Sequence, residues 1–133
     1  MKSLLKPTRT PTLPRAALML TTVGARVGLD IKAFCHAYAL PQQTFTRLTG
    51  FSPRAVSGWA NGQPRNPATQ RRLAETQRLF AALARLVQPA AIGAWLEAPN
   101  PAFAGSTPAQ VIERGETDRL WRMIYELESG QPG

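Results

Sequence analysis

Apolar residues recur along the chain at helical spacing, and no segment shows the convincing alternation that is typical of a strand. The clearest segment is 66–87, where Asn66 can cap a helix and Pro67 suits its first position. A helix is therefore predicted from Asn66 to Val87. Its broad apolar stripe is formed by Leu73, Leu79, Phe80, Leu83, Leu86 and Val87.

Shorter helical patterns flank this segment. They predict helices over 15–27, over 30–40 with Asp30 as the cap, and over 89–98. Thr107 and Pro108 repeat the cap-plus-proline signature, and Gly115 marks the end of that helix. The last helix is predicted within 116–130, with a buried face made of Leu120, Met123, Ile124 and Leu127. The chain is predicted to be all-α.

The segment 42–62 has the pattern of a helix-turn-helix unit. Gly50 stands where the first helix must stop, since the tight turn requires a positive φ. Ser52 can cap the second helix, and Pro53 takes its first position. Phe45, Val56 and Trp59 are predicted to pack inward. The predicted outer face, which would enter a major groove, consists of Pro53, Arg54, Ser57, Gly58 and Asn61.

Charge is distributed unevenly over the 133 residues, whose net charge is +8. Residues 1–72 contain eleven Lys or Arg and one acid, whereas residues 73–133 contain five Arg and seven acids. A basic half indicates a polyanionic partner such as DNA. The predicted DNA-binding residues are Arg47, Ser52, Arg54, Ser57, Asn61, Arg65, Arg71 and Arg72.

Composition argues against several other classes of protein. One cysteine, Cys35, excludes an internal disulfide, and no apolar run approaches the ~20 residues that cross a bilayer. Cys35 and His36 are neighbours that point about 100° apart on a helix, so they do not predict a catalytic pair. The sequence predicts a cytoplasmic protein without enzymatic activity, cofactor, metal site or membrane partner.

Length suits one domain, or two very small ones that share a core. Three prolines predict a flexible basic arm over residues 1–14. The predicted division is then a helix-turn-helix domain over 15–87 and a small helical module over 88–133. On the last helix, Trp121 and Tyr125 lie one turn apart and off the most apolar line. They are either interface anchors or completions of the core.

The segment 95–130 closely resembles the C-terminal toxin-binding domain of the Xre/MbcA/ParS antitoxin family. The matching positions are Trp95, Pro99-Asn100, Pro108, Val111-Ile112, Gly115-Glu116 and the Arg119-to-Leu127 helix. The upstream segment "GFSPRAVSGWANGQ" is similar to the Xre-type helix-turn-helix of that family. The two similarities together span about residue 40 to the end of the chain.

This resemblance implies a type II antitoxin whose partner is a RES-domain toxin that consumes NAD. The C-terminal module would cover the active-site mouth of the toxin, and the helix-turn-helix would repress the shared operon. The candidate toxin-binding residues are Asn100, Glu113, Arg114, Glu116, Asp118, Trp121, Arg122 and Tyr125. Because one helix-turn-helix offers few base-contacting groups, a homodimer on operator DNA is predicted.

Two other functions fit the same residues. The chain could be a free-standing transcriptional repressor whose C-terminal module dimerises or senses a small ligand. A third hypothesis is a structural adaptor that does not bind DNA. An adjacent gene for a RES-type toxin would favour the antitoxin over both.

Overall fold

The computed structural model describes residues 28–130, which form seven α-helices and two short 3-10 turns without a strand. In chain order the helices are α1 (Ile31–Ala37), α2 (Gln42–Thr49), α3 (Pro53–Ala60), α4 (Pro67–Leu83), α5 (Ile92–Leu96), α6 (Pro108–Glu113) and α7 (Thr117–Glu128). The 3-10 turns are Pro89–Ala91 and Pro101–Phe103. The predicted all-α class is confirmed. The arm predicted for 1–14 and the helix predicted for 15–27 lie outside the described residues.

Capping side chains determine where several helices begin. Asp30, Ser52, Asn66 and Thr107 each accept a hydrogen bond from the backbone N–H three residues later, at 2.8 to 3.0 Å. Thr107 forms a complete capping box, because the Gln110 side chain accepts from the Thr107 N–H at 2.8 Å. The helix starts predicted from these residues are confirmed.

Helix α4 ends four residues earlier than predicted. It ends at Leu83, and the chain tightens into a turn in which the Val87 N–H donates to the Leu83 carbonyl at 2.9 Å. Pro89 follows, and it restricts Gln88 to extended backbone, with a ψ of 132°, so the helix cannot resume after the turn. The predicted extension to Val87 is therefore wrong. Leu86 falls in the turn, where 37% of it is exposed.

One hydrophobic core extends through residues 28–130. Helix α2 packs against α4 and α6, and α4 packs against α7. Fully burying a large apolar side chain stabilises the fold by roughly 1.5–3 kcal/mol. The buried side chains of α6 and α7 therefore help to hold the helix-turn-helix in place. The division into 15–87 and 88–133 stays a prediction about roles. The largest buried side chains include Phe45, Val56, Leu73, Phe80, Leu83, Ile92, Leu96, Val111, Leu120 and Ile124.

Backbone meets backbone where α5 lies against the turn after α1. The Gly93 N–H donates to the Tyr38 carbonyl at 3.0 Å. A Cβ at position 93 would overlap the carbonyl oxygen of Ala39 and lie 2.9 Å from its carbonyl carbon. Ala39 itself has a φ of 51°, in the left-handed region that few residues other than glycine adopt. This contact sets the position of α5 against the N-terminal helices.

Candidate nucleic-acid and protein-binding surfaces

Helices α2 and α3 form the predicted helix-turn-helix. Gly50 ends α2 with a φ of 76°, which allows the tight turn. The Phe51 ring then meets the Trp59 ring edge-on, with centroids 4.9 Å apart. Val56 is completely buried and Trp59 partly so. The inner side of α3 is thus fixed on the core, and its opposite side faces solvent.

The outer face of α3 consists of Pro53, Arg54, Ser57, Gly58 and Asn61, as predicted, and all are exposed except the partly covered Gly58. The Asn61 side chain donates to the Ser57 carbonyl at 3.0 Å. Arg54 makes no hydrogen bond or ion pair with another residue of 28–130. This face carries a free guanidinium, a hydroxyl and no carboxylate, which is the chemistry that contacts base edges and phosphates.

Arg71 and Arg72 are neighbours on α4 with different surroundings. Arg72 donates to the Thr49 carbonyl at 2.6 Å, and its guanidinium lies 4.3 Å from the centroid of the Phe51 ring. It therefore ties α4 to the end of α2. Arg71 is exposed and has no polar partner within 28–130, so it stays available to a phosphate.

Arg65 and Ser52 also have structural roles. Arg65 donates to the Leu29 carbonyl, and burial lowers the pKa of its guanidinium, an effect that the Asp30 carboxylate opposes. The Ser52 hydroxyl accepts from the Ala55 N–H at the start of α3. The structure therefore places both predicted DNA-binding residues in contacts within the chain that shape the helix-turn-helix.

Arg47 and Glu113 were assigned to different surfaces, and the structure brings them together. The Arg47 Nη2 lies 3.0 Å from the Glu113 Oε2 and 3.3 Å from a carboxylate oxygen of Glu97. The hydrogen bond that Arg47 donates to Glu113 is the main cause that raises the pKa of Arg47. This cluster links α2 to α6 and to the end of α5. It could not be predicted because the two carboxylates lie 50 and 66 residues from Arg47 along the sequence.

The remaining polar candidates of the C-terminal module make mostly local contacts. Asn100 accepts from the Ala102 N–H at 2.9 Å and so caps the second 3-10 turn. Glu116 lies 2.9 Å from a guanidinium nitrogen of Arg119 and 3.5 Å from one of Arg114. The hydrogen bond from Arg119 is the largest cause that lowers the pKa of Glu116. These charges are largely neutralised within the module.

The outer face of α7 consists of Asp118, Trp121, Arg122 and Tyr125. Tyr125 is 71% exposed and Trp121 is 40% exposed, so Tyr125 does not complete the core and Trp121 does so only in part. Asp118 and Arg122 have no polar partner within 28–130. Leu127 was predicted to be buried, and that prediction is wrong: 57% of it is exposed, because it lies in the last turn of α7, at the rim of a groove.

This apolar groove is a surface that sequence reasoning missed. Its cavity has a volume of about 420 Å³ and lies between the end of α4, α5 and α7. The one available signal was an apolar stripe that continues past the end of α4. The groove is lined by Leu83, Leu86, Val87, Trp95, Asn100, Ala102, Met123, Glu126 and Leu127.

A second cavity, of about 360 Å³, lies where α4 meets the start of α7. It is more polar, with Arg72, Glu75 and Arg78 on one side and Trp121 on the other. Because Phe51 also lines it, this junction cavity borders the helix-turn-helix.

Other chemistry is sparse in residues 28–130. Cys35 is buried, which raises the pKa of its thiol, whereas His36 is exposed. No group of three or more His, Cys, Asp or Glu side chains in this range could hold a metal ion. None of the helices in it has both the length and the apolar character that a membrane-crossing segment requires.

No protein-family model matches the chain, and no curated protein matches it. Among solved structures, it is similar to a chain in the crystal structure of the M. tuberculosis MbcT-MbcA toxin-antitoxin complex, with a TM-score of 0.60. The match covers 76% of this chain and 92% of that chain, at 24% identity. The resemblance noted in the sequence is thus confirmed at the level of the fold.

Proposed function

We propose that this chain is the antitoxin of a type II toxin-antitoxin system. The observation that supports this most directly is the shared fold, which covers 92% of a chain in the MbcT-MbcA toxin-antitoxin complex. A coverage that high includes more than a helix-turn-helix, which occurs in many unrelated regulators. The C-terminal helices are what set this fold apart from a plain DNA-binding unit.

The toxin partner is proposed to be a RES-domain enzyme that consumes NAD, held inactive by the outer face of α7. Exposed aromatic side chains such as Trp121 and Tyr125 are typical anchors of protein interfaces. Glu113 and Glu116 already have Arg partners within the chain. They would therefore add less electrostatic attraction to a cationic cleft on the toxin than two unpaired carboxylates would. Apolar contact supplies most of the affinity, and Asp118 supplies charge complementarity.

Autoregulation is proposed to act through the outer face of α3 in a homodimer on operator DNA. The two half-sites would lie about one helical turn apart, or a multiple of it. Most of the apolar stripe of α4, including Leu73, Leu79 and Phe80, is buried in the core of the chain itself and is not available as a dimer surface. The exposed Leu86, at the apolar groove, is therefore the part of that stripe that stays available to a second copy.

A free-standing repressor that senses a ligand is the second candidate. The junction cavity favours it, since Trp121 and two arginines line a space beside the helix-turn-helix. An anionic aromatic molecule is the class that such a lining would bind.

Growth rescue tests the antitoxin proposal. The product of the neighbouring gene is expressed with the wild-type chain, with Tyr125→Ala and with Arg54→Ala. We expect the wild type and Arg54→Ala to rescue growth and to copurify with the neighbouring product, because Arg54 lies on the DNA-facing side. Tyr125→Ala should rescue poorly. A neighbouring product that is harmless when expressed alone, or that never copurifies, would contradict the proposal and favour the repressor.

A further inference from the structure

The chain folds back immediately after α3. Gly62 adopts a left-handed φ of 98°, and its N–H donates to the Trp59 carbonyl at 3.0 Å. The Gln63 N–H donates to the Gly58 carbonyl at 2.9 Å. These two bonds define a Schellman motif, in which the residue after the left-handed position returns to the residue three before the helix cap. The chain thus brings Gln63 back to Gly58, on the outer face of α3.

The absence of a side chain at Gly58 makes room for Gln63. A Cβ at position 58 would lie 2.9 Å from the Gln63 Cδ and would overlap its Oε1. Glycine is otherwise unfavourable inside a helix. On the outer face, beside Arg54 and Ser57, the Gln63 carboxamide covers Gly58.

The Gln63 side chain is exposed, and its carboxamide is free to bond to a partner molecule. It makes no hydrogen bond with another residue of 28–130, whereas the Asn61 amide is bonded to Ser57 on the same face. A free carboxamide donates and accepts at once, and this pattern matches the N6 and N7 of adenine in the major groove.

We infer that Gln63 is a base-contacting residue that prefers adenine, and that Gly58 provides the space for it. The inference rests on the proposed operator binding and adds a specificity determinant to it. Arg54 and Gln63 then contact bases from the same helix face, a guanidinium suited to guanine and a carboxamide suited to adenine.

Base-by-base binding profiles test the inference. Short duplexes that cover the DNA upstream of the chain's own gene are titrated with wild type, and every base pair of the best duplex is then substituted in turn. Substituting one particular A·T pair in a half-site should lower the affinity of wild type by about 5- to 150-fold. Gln63→Ala should lose the discrimination at that pair and keep it elsewhere. Gln63→Glu should shift the preference there towards cytosine, whose amino group donates.

Two further variants separate base contact from helix capping. Gly58→Ala displaces the carboxamide while leaving the exposed helix able to fold, as circular dichroism would verify, and it should lose the same A·T preference. Gln77→Ala, an exposed glutamine on α4, should keep the wild-type profile. If wild type discriminates between bases and Gln63→Ala retains an identical profile, the inference is wrong and operator binding stands. If wild type binds every duplex equally, both are wrong.

Discussion

The outer faces of α3 and α7 stand on one core and differ in almost every surface property. The face of α3 exposes Arg54, small polar groups and a proline, and it carries no carboxylate. The face of α7 exposes two aromatic rings, Trp121 and Tyr125, with charges of both signs beside them. Polar, cationic surfaces are typical of contacts with DNA, whereas exposed aromatic anchors are typical of contacts with protein. The difference teaches that one fold of about a hundred residues can present two faces of unlike chemistry at once.

The largest effect should come from removing a side chain on which both faces depend. Leu120 is completely buried on the inner side of α7, so Leu120→Ala should lower the free energy of unfolding by ~2–5 kcal/mol. DNA binding and toxin binding should then fall together. Thermal melts by circular dichroism measure the first effect, and Leu127→Ala, at a 57% exposed position, is the control. Intact DNA binding in a variant with a molten C-terminal half would show that the two faces do not share their support.

Separating the faces calls for a change that affects α7 alone. Tyr125→Ala removes an exposed ring and should weaken toxin binding by at least ~2 kcal/mol while leaving the melting temperature unchanged. Titration calorimetry with the purified toxin measures the loss. Trp121→Ala is the comparison, since that ring is partly covered and should also lower stability. Equal toxin affinity for Tyr125→Ala and wild type would remove this face from the interface.

The matching change on α3 is Arg54→Ala. It should weaken operator binding by about 1–3 kcal/mol, because the variant lacks the guanidinium that would bond to a base edge. Arg71→Ala, at an exposed position on α4, should instead weaken all duplexes alike and flatten the salt dependence. Fluorescence anisotropy at several salt concentrations distinguishes the two effects. Operator binding that is insensitive to Arg54→Ala would exclude this residue from the DNA site.

A smaller effect is expected where the two halves are joined by charge. Arg47→Met would break the ion pairs with Glu97 and Glu113, and exposed pairs of this kind contribute about 0.2–1 kcal/mol. Stability should fall slightly, and operator affinity should change less than in Arg71→Ala. Denaturant unfolding and anisotropy measure both. A larger loss of DNA binding in Arg47→Met than in Arg71→Ala would restore Arg47 as a DNA contact.

The smallest effect concerns pH. The hydrogen bond from Arg85, with Nε–Oε2 at 2.5 Å, lowers the pKa of Glu128 below its ordinary value of 4.5. A lowered folded-state pKa stabilises the fold above the unfolded value, and that contribution disappears as pH falls from about 4.5 through the lowered value. Glu128→Gln should therefore melt slightly below wild type at neutral pH and together with it in strong acid. A gap between the two melting temperatures that persists in strong acid would contradict this account.

Local chemistry explains what the sequence could and could not predict. Helix starts were predictable because Ser52, Asn66 and Thr107 bond to backbone only three residues away. The turn of the helix-turn-helix was predictable because it depends on the positive φ of a single residue, Gly50. Contacts distant in sequence were not predictable: Arg47 had the composition of a DNA contact, and its carboxylate partners came from another part of the chain.

Surface positions at helix ends were the other weak point. Leu127 fits the apolar period of α7, but none of the elements within residues 28–130 covers the last turn of that helix enough to bury it. Leu86 fits the period of α4, which stops before reaching it. Periodicity gives the side of a helix on which a residue lies, whereas burial depends on where the neighbouring elements end. The apolar groove arises from these two departures.

The contact between Gly93 and Ala39 has a consequence for how such chains can diversify. The backbone of Gly93 approaches Ala39 so closely that a Cβ at position 93 would overlap the Ala39 carbonyl, so α5 is fitted to a turn of this shape. Recombination that joins the C-terminal helices to an unrelated DNA-binding unit would bring together two backbones that collide or leave a void. New binding specificities should therefore arise more readily by point substitution on the two faces than by exchange of one half.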